Sequence, residues 1–308
     1  METGDCRRGG QNEKKMAHLR VLQELGELRI FKAKKTSNRE NLTDEGSFSL
    51  PVSGSEYVFH VATPISFASQ DPEKDMINPA IQGEINVLKS CLNSNSAKRV
   101  IYTSSAAAVS INNLSGPGLV MTEENWSDID FRRKEKPFNW FTYFMSLLFL
   151  GLPYLKGVSR KGSLYICEEN KIDLVTLVPA LIAGNSLLSD PPSSLSLSMS
   201  ITKIQKLSGS ISFIRDRPSS CTSVSCGERN SFCRCICCSH NTNVPEIADF
   251  LRQRYPHYNV ISQFEECLSS AKLTLSSEKL TNEGFRFEYG MKEMYDEMME
   301  YFETNPWA

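Results

Sequence analysis

The stretch from Val100 to Ser110, VIYTSSAAAVS, passes from β-branched apolar residues to hydroxyls and then to small residues. A buried parallel strand reads as such an apolar run, and in an open α/β sheet ligands bind beyond the carboxyl ends of the strands. Thr103, Ser104 and Ser105 therefore fall where a substrate or cofactor would lie, with hydroxyls that can hold an oxygen. The same letters describe a strand running into a serine-rich turn, in which Ser105 only caps the turn. Two other groups could carry chemistry. His60 stands inside the apolar run YVFHVA, where a packed core histidine competes with a base. Cys221, Cys226, Cys233, Cys235, Cys237 and Cys238 crowd the run from Arg215, with His240 just beyond. Their spacing lacks two clean CxxC pairs and no His lies among them, so no metal site is expected.

The elements that would position these residues follow from periodicity. Tyr57 to Ala62 is a buried strand that stops at Thr63 and Pro64, and Ile77 to Leu92 spaces Ile77, Ile81, Ile85, Leu88 and Leu92 along one helical face. That helix leads into the Val100 strand. Strand, helix, strand in this order is the crossover unit of a parallel sheet. Further along, Ile172 to Ala183 reads as a third buried strand and Ser186 to Ser200 as a serine-rich loop. Helices are expected at Val244 to Tyr255 and Gly290 to Phe302, with a strand near Tyr258 to Ile261. Before all of these, Met16, Leu19, Leu22, Leu25 and Leu28 predict a helix from Glu13, with Leu28 to Phe31 as a short strand. Lys32 to Glu45 and Asn112 to Asp130 read as polar loops. The fold class is α/β.

With 308 residues the chain can bury a large core in one large domain or two smaller ones. The charge is nearly balanced, 34 Lys plus Arg against 36 Asp plus Glu, which argues against nucleic acid or an anionic membrane as partner and for a small molecule. The apolar segment Phe138 to Leu155 is too short for a membrane span and is broken by Gly151 and Pro153. Residues 1–20 hold no apolar signal-peptide core, so a cytoplasmic protein whose ten cysteines are thiols or metal ligands is expected.

Four stretches, FHVATPISFAS from Phe59, DPEKDMINPAIQG from Asp71, KRVIYTSSAAAVSIN from Lys98 and ICCSHNTNVPEIADFLRQRYP from Ile236, resemble the anthocyanidin reductase family, a plant branch of the extended short-chain dehydrogenases close to dihydroflavonol reductase. The resemblance implies a Rossmann-like parallel sheet with helices on both faces and a small C-terminal substrate lobe. It also implies NADPH as cofactor and a flavonoid substrate, anthocyanidin reduced to flavan-3-ol. Carried over residue by residue, Ser105 matches the catalytic serine. Val61, Ala62 and Thr63 match the turn beside the cofactor, and Pro179 with Ile182 the strand end near the nicotinamide. In such a site a Ser holds the substrate oxygen, a Tyr gives the proton and a Lys lowers the Tyr pKa. The corresponding division is a polar tail at 1–13, a partial Rossmann domain at 14–185 and a substrate lobe at 186–308 that also contributes to the sheet.

The chain departs from the family at three places. The family opens with a strand and a GxxGxxG loop that cradles the pyrophosphate. Here Gly4, Gly9 and Gly10 follow no strand and precede no apolar helix, and the match begins near Lys14. The first strand, phosphate loop and first helix are expected to be lacking, and NADPH affinity to suffer. An insertion at Lys34 to Glu40 leaves Asn41 where the family has an Asp near the adenine. Second, no YxxxK is found where it belongs: Tyr143, Tyr154 and Tyr165 are followed four residues later by Leu147, Val158 and Glu169. A shift of reading frame by one nucleotide across Gly151 to Lys156 can yield Ala, Tyr, Pro, Ile, Ser, Lys, the family motif. The third departure, the cysteine-rich run from Arg215, yields under the same shift a segment like that preceding ICC in the family. The expectation is a reductase of impaired activity, partly translated out of frame; the competing one is a non-catalytic relic that binds a ligand or partner.

Overall fold

The computed structural model describes residues 16–31 (save 18, 22 and 27), 43–61, 71, 74–75, 78–110, 114, 118–127, 172–200, 210–214, 233–260 and 273–305. The predicted segments 138–166 and 215–232, the residues before 16, Asn41, Ala62 and Thr63 lie outside them.

Four strands form a parallel sheet in the order β1 (Tyr57–His60), β2 (Arg99–Thr103), β4 (Asp173–Pro179) and β7 (Cys233–Cys237). The β-branched and aromatic side chains of β2, Val100, Ile101 and Tyr102, suit a pleated and covered surface. Between β1 and β2 the chain crosses over in helix α3 (Asn78–Ser94), which ends where Asn95 takes a left-handed conformation at φ 53°. Alternation along β2 then divides the core. Val100 and Tyr102 join Val87, Leu88 and Cys91 of α3, whereas Ile101 joins Val175, Leu177 and Ile236. At the head of the sheet Arg99 Nη2 lies 2.5 Å from Asp173 Oδ2, tying β2 to β4.

The expected strand Ile172 to Ala183 is two strands. Ala180 interrupts it, donating its N–H to Cys237 O at 2.9 Å, and β5 (Leu181–Ile182) leaves to pair with β6 (Ser210–Ile214) in a second sheet, order β5-β6-β8. Strand β8 (His240–Asn243) leads into helix α6 (Val244–Arg254), whose start is set by Asn243: its side chain accepts the N–H of Glu246 at 2.9 Å, and a proline occupies the first turn. Helix α8 (Met291–Thr304) starts at Gly290, whose N–H is held by the Glu293 carboxylate at 3.0 Å. Phe213, Val244, Ile247, Leu251, Met294, Tyr295 and Met298 make the core of this second lobe.

Several expectations are corrected. The serine-rich segment is a loop only to its prolines; Ser193–Ser200 is helix α5, with Leu195 buried and Ser198 Oγ donating to Ser194 O at 2.8 Å. Asn112 to Asp130 contains strand β3 (Leu119–Met121), paired in parallel with β9 (Leu273–Leu275). Of the strand expected near Tyr258 to Ile261, the described residues 258–260 are irregular, with the local bonds Tyr258 N–H to Tyr255 O and Val260 N–H to Tyr258 O, and Ile261 lies outside the described residues. At the N-terminal end the described residues of 16–25 are helical (α1), but Leu25 is exposed, and residues 28–31 have no partner strand among the described residues and are irregular. The cysteines are not all thiols: Cys233 is disulfide-bonded, while Cys91, Cys235, Cys237 and Cys238 are buried and outside any disulfide. Among the described residues no helix is long and apolar enough to cross a membrane, and no group of three or more His, Cys, Asp or Glu could hold a metal.

Candidate active site at the strand ends

Backbone hydrogen bonds stitch the carboxyl ends of the central strands together. Ser104 N–H donates to Leu177 O at 2.7 Å, Ala106 N–H to Pro179 O at 2.8 Å, and Ala180 N–H to Cys237 O at 2.9 Å. Ser105 thus sits between two residues anchored to β4, so the loop that carries it is fixed on both sides. The short helix α4 (Ala107–Ser110) follows at once. Ser105 Oγ accepts the N–H of Ala107 at 3.2 Å, a turn-capping bond that orients the hydroxyl and does not use its proton. The turn-capping reading of Ser105 is thus observed, and the hydroxyl proton is left over for an acceptor.

Helix α4 is held from beneath by Ser127, whose N–H donates to Ala108 O at 2.9 Å and whose Oγ donates to Ala107 O at 2.6 Å. This buried serine was not singled out from the sequence, because it stands 20 residues from Ala107 in a stretch read as polar loop and carries no motif.

Of the other predicted site residues, Pro179 is buried at the end of β4 and shares the bond with Ala106 that brings it beside Ser105. Val61 follows β1 directly, on the strand next to β2, and is 62% exposed. Ile182 lies beyond the bend at Ala180, in the second sheet, and is 40% exposed. Ala62 and Thr63 are not among the described residues. An open rim with apolar side chains and one oriented hydroxyl is what the nicotinamide end of a dinucleotide and a planar substrate require. The residues present fit that end of the cofactor; any phosphate-binding glycines lie outside the described residues. His60, just before Val61, is buried, and desolvation pulls its pKa down to about 4, so it is a neutral core ring and not a base at the rim.

A parallel sheet with a crossover helix and a hydroxyl cluster at its carboxyl ends is the Rossmann-like scaffold on which short-chain dehydrogenases are built. Residues 11–135 match the model of the 3-beta hydroxysteroid dehydrogenase/isomerase family. Among solved structures, vestitone reductase from alfalfa superposes with a TM-score of 0.68 at 26% identity, covering 86% of this chain and 81% of that one. Gre2 from Candida albicans, solved in complex with NADPH, superposes with a TM-score of 0.69 at 18% identity over 87% and 83% of the two chains, a likeness of fold. Anthocyanidin reductase from Arabidopsis thaliana is 62% identical over 309 aligned residues, 96% of this chain and 86% of that protein. The chain belongs to the anthocyanidin reductase family.

Proposed function

We propose that the chain is an NADPH-dependent reductase of flavonoids that takes an anthocyanidin to a flavan-3-ol, with Ser105 as the group that holds the substrate oxygen. The observation that carries this reading is the placement of Ser105 between two bonds to β4 in a chain 62% identical to anthocyanidin reductase. When bound, NADPH would supply hydride, and since a flavylium cation must gain two hydrides and one proton to become a flavan-3-ol, two NADPH would be consumed in turn. As charge gathers on the substrate oxygen, the Ser105 hydroxyl donates to it, and the Ala107 N–H behind Oγ keeps the donor aimed. Val61 and Ile182 offer apolar walls to the flat rings, and Pro179 fixes the strand end against which the reacting face is set. Because the chain has no YxxxK at the expected place, proton delivery is the weak step, and turnover is expected to be low.

The test is purified protein titrated with NADPH, with cofactor fluorescence followed, and then given cyanidin, with products separated chromatographically. NADPH-dependent flavan-3-ol that falls about a hundredfold in Ser105→Ala is the expected result. Absence of both cofactor binding and product would overturn the reading and leave the non-catalytic relic.

A further inference from the structure

The two strand ends that bear the proposed cofactor turn and Ser105 meet through a ring pair. His60 is the last residue of β1, and its register partner on β2 is Tyr102. Partners in a parallel pair point to the same face, and here both side chains are buried, at 8% and 5% exposure. Their ring centroids lie 5.4 Å apart with the planes inclined at 44°. One residue after His60 comes Val61; three after Tyr102 comes Ser105. On its other side β1 has no hydrogen-bonded neighbour among the described residues, whereas β2 is bonded to β4. Among the described residues, β2 is thus the strand to which the end of β1 is bonded.

We propose that His60 is a positioning residue: its ring, packed on Tyr102, holds the end of β1, with Val61, at a fixed distance from Ser105. This rests on the reading of the strand ends as a reductase site. The face on which the pair lies is the one covered by α3, and burial, with the charge of the buried Glu84 adding to it, pushes the Tyr102 phenol well above its ordinary pKa. Both rings are thus uncharged at neutral pH, as a packing strut requires. A general acid or base would need the opposite, an ionisable ring at the rim.

The role separates His60 as a ring from His60 as a proton carrier, so the decisive variants are His60→Phe and His60→Ala in the full chain. Amide hydrogen exchange is measured without ligand, and NADPH affinity by fluorescence. His60→Ala is expected to speed exchange at Ser104, Ala106 and Ala107 by about three- to tenfold relative to the amides of β4, and His60→Phe to restore protection. NADPH dissociation constants should follow the same order, with His60→Phe close to the parent. Should His60→Ala fail to fold, Tyr102→Leu removes the pair from the other side and is expected to give the same local loosening. Unchanged exchange at residues 104–107 in the folded variants, or His60→Phe behaving as badly as His60→Ala, would overturn the proposal. If the parent chain itself binds no NADPH, the functional reading fails while the exchange data still decide the strut.

Discussion

Among the described residues, the two outer strands of the parallel sheet are finished in opposite ways. At β7 the outward backbone groups and side chains are taken up by neighbours: Ile236 N–H donates to Glu123 Oε1 at 2.9 Å and Arg234 O accepts from Lys279 Nζ at 3.0 Å, while the Arg234 guanidinium lies 3.5 Å from the Trp126 ring centroid. Just beyond the strand, Cys238 N–H donates to Ser277 Oγ at 2.8 Å. At β1, Tyr57 and Phe59 are 59% and 51% exposed on one face, and only the other face is covered. A row of side-chain bonds closes an edge to further strands; an apolar edge left open invites pairing. Ser105 follows the strand next to β1, so the margin nearest the proposed site is the one without a bonded neighbour among the described residues.

Three measurements would break or sharpen this contrast. The largest effect expected is at acid pH and belongs to the β1 edge. His60 has its pKa lowered from 6.5 to about 4 by burial, so the unfolded chain takes up its proton first. Its contribution is fully present above about pH 6.5 and is lost as pH falls toward 4, on the order of 3 kcal/mol in all. Urea denaturation at several pH values should show this, and His60→Phe should flatten that part of the profile. Next, Glu123→Ala strips Ile236 N–H of its acceptor at the sealed edge and is expected to cost about 1–3 kcal/mol in the same assay. Smallest, Phe59→Ser should change stability by less than about 0.5 kcal/mol, as an exposed side chain does. A loss as large as that at Glu123 would mean that the two edges are finished alike.

Much of the sheet was legible, and the reason is local. Val100 to Thr103 and Tyr57 to His60 are short apolar runs ending in hydroxyl or proline signals, and the spacing over Ile77 to Leu92 specifies one helical face, observed as Asn78–Ser94. The helices over 244–254 and 291–304 carry their own caps. What was not legible depended on distant partners. Pro179 marks a strand end, but that Leu181–Ile182 joins a different sheet is decided by β6 and β8. Strands β3 and β9 each have three residues and exist as a pair separated by a long stretch of chain. The Cys233–Cys237 run, set aside as an anomalous cysteine cluster, is a strand because β4 offers it a complete partner. At the site, the type and place of Ser105 were visible, whereas the bonds from Ala106 to Pro179 and from Ser127 to Ala107 arise only once the strands are side by side.

The pairing of β2 with β4 also sets a schedule for synthesis. Arg99 and its partner Asp173 are 74 residues apart in the chain. At about 5–20 residues per second a ribosome takes roughly 4–15 s to make that stretch. Through that interval β1, β2 and α3 can assemble, and Val109 and Met121 can already reach Ile101, but the edge of β2 that later bonds to β4 has no strand beside it. A nascent chain paused there would display the unpaired edge of β2, a margin at which a strand of another chain could bind until Asp173–Pro179 emerges.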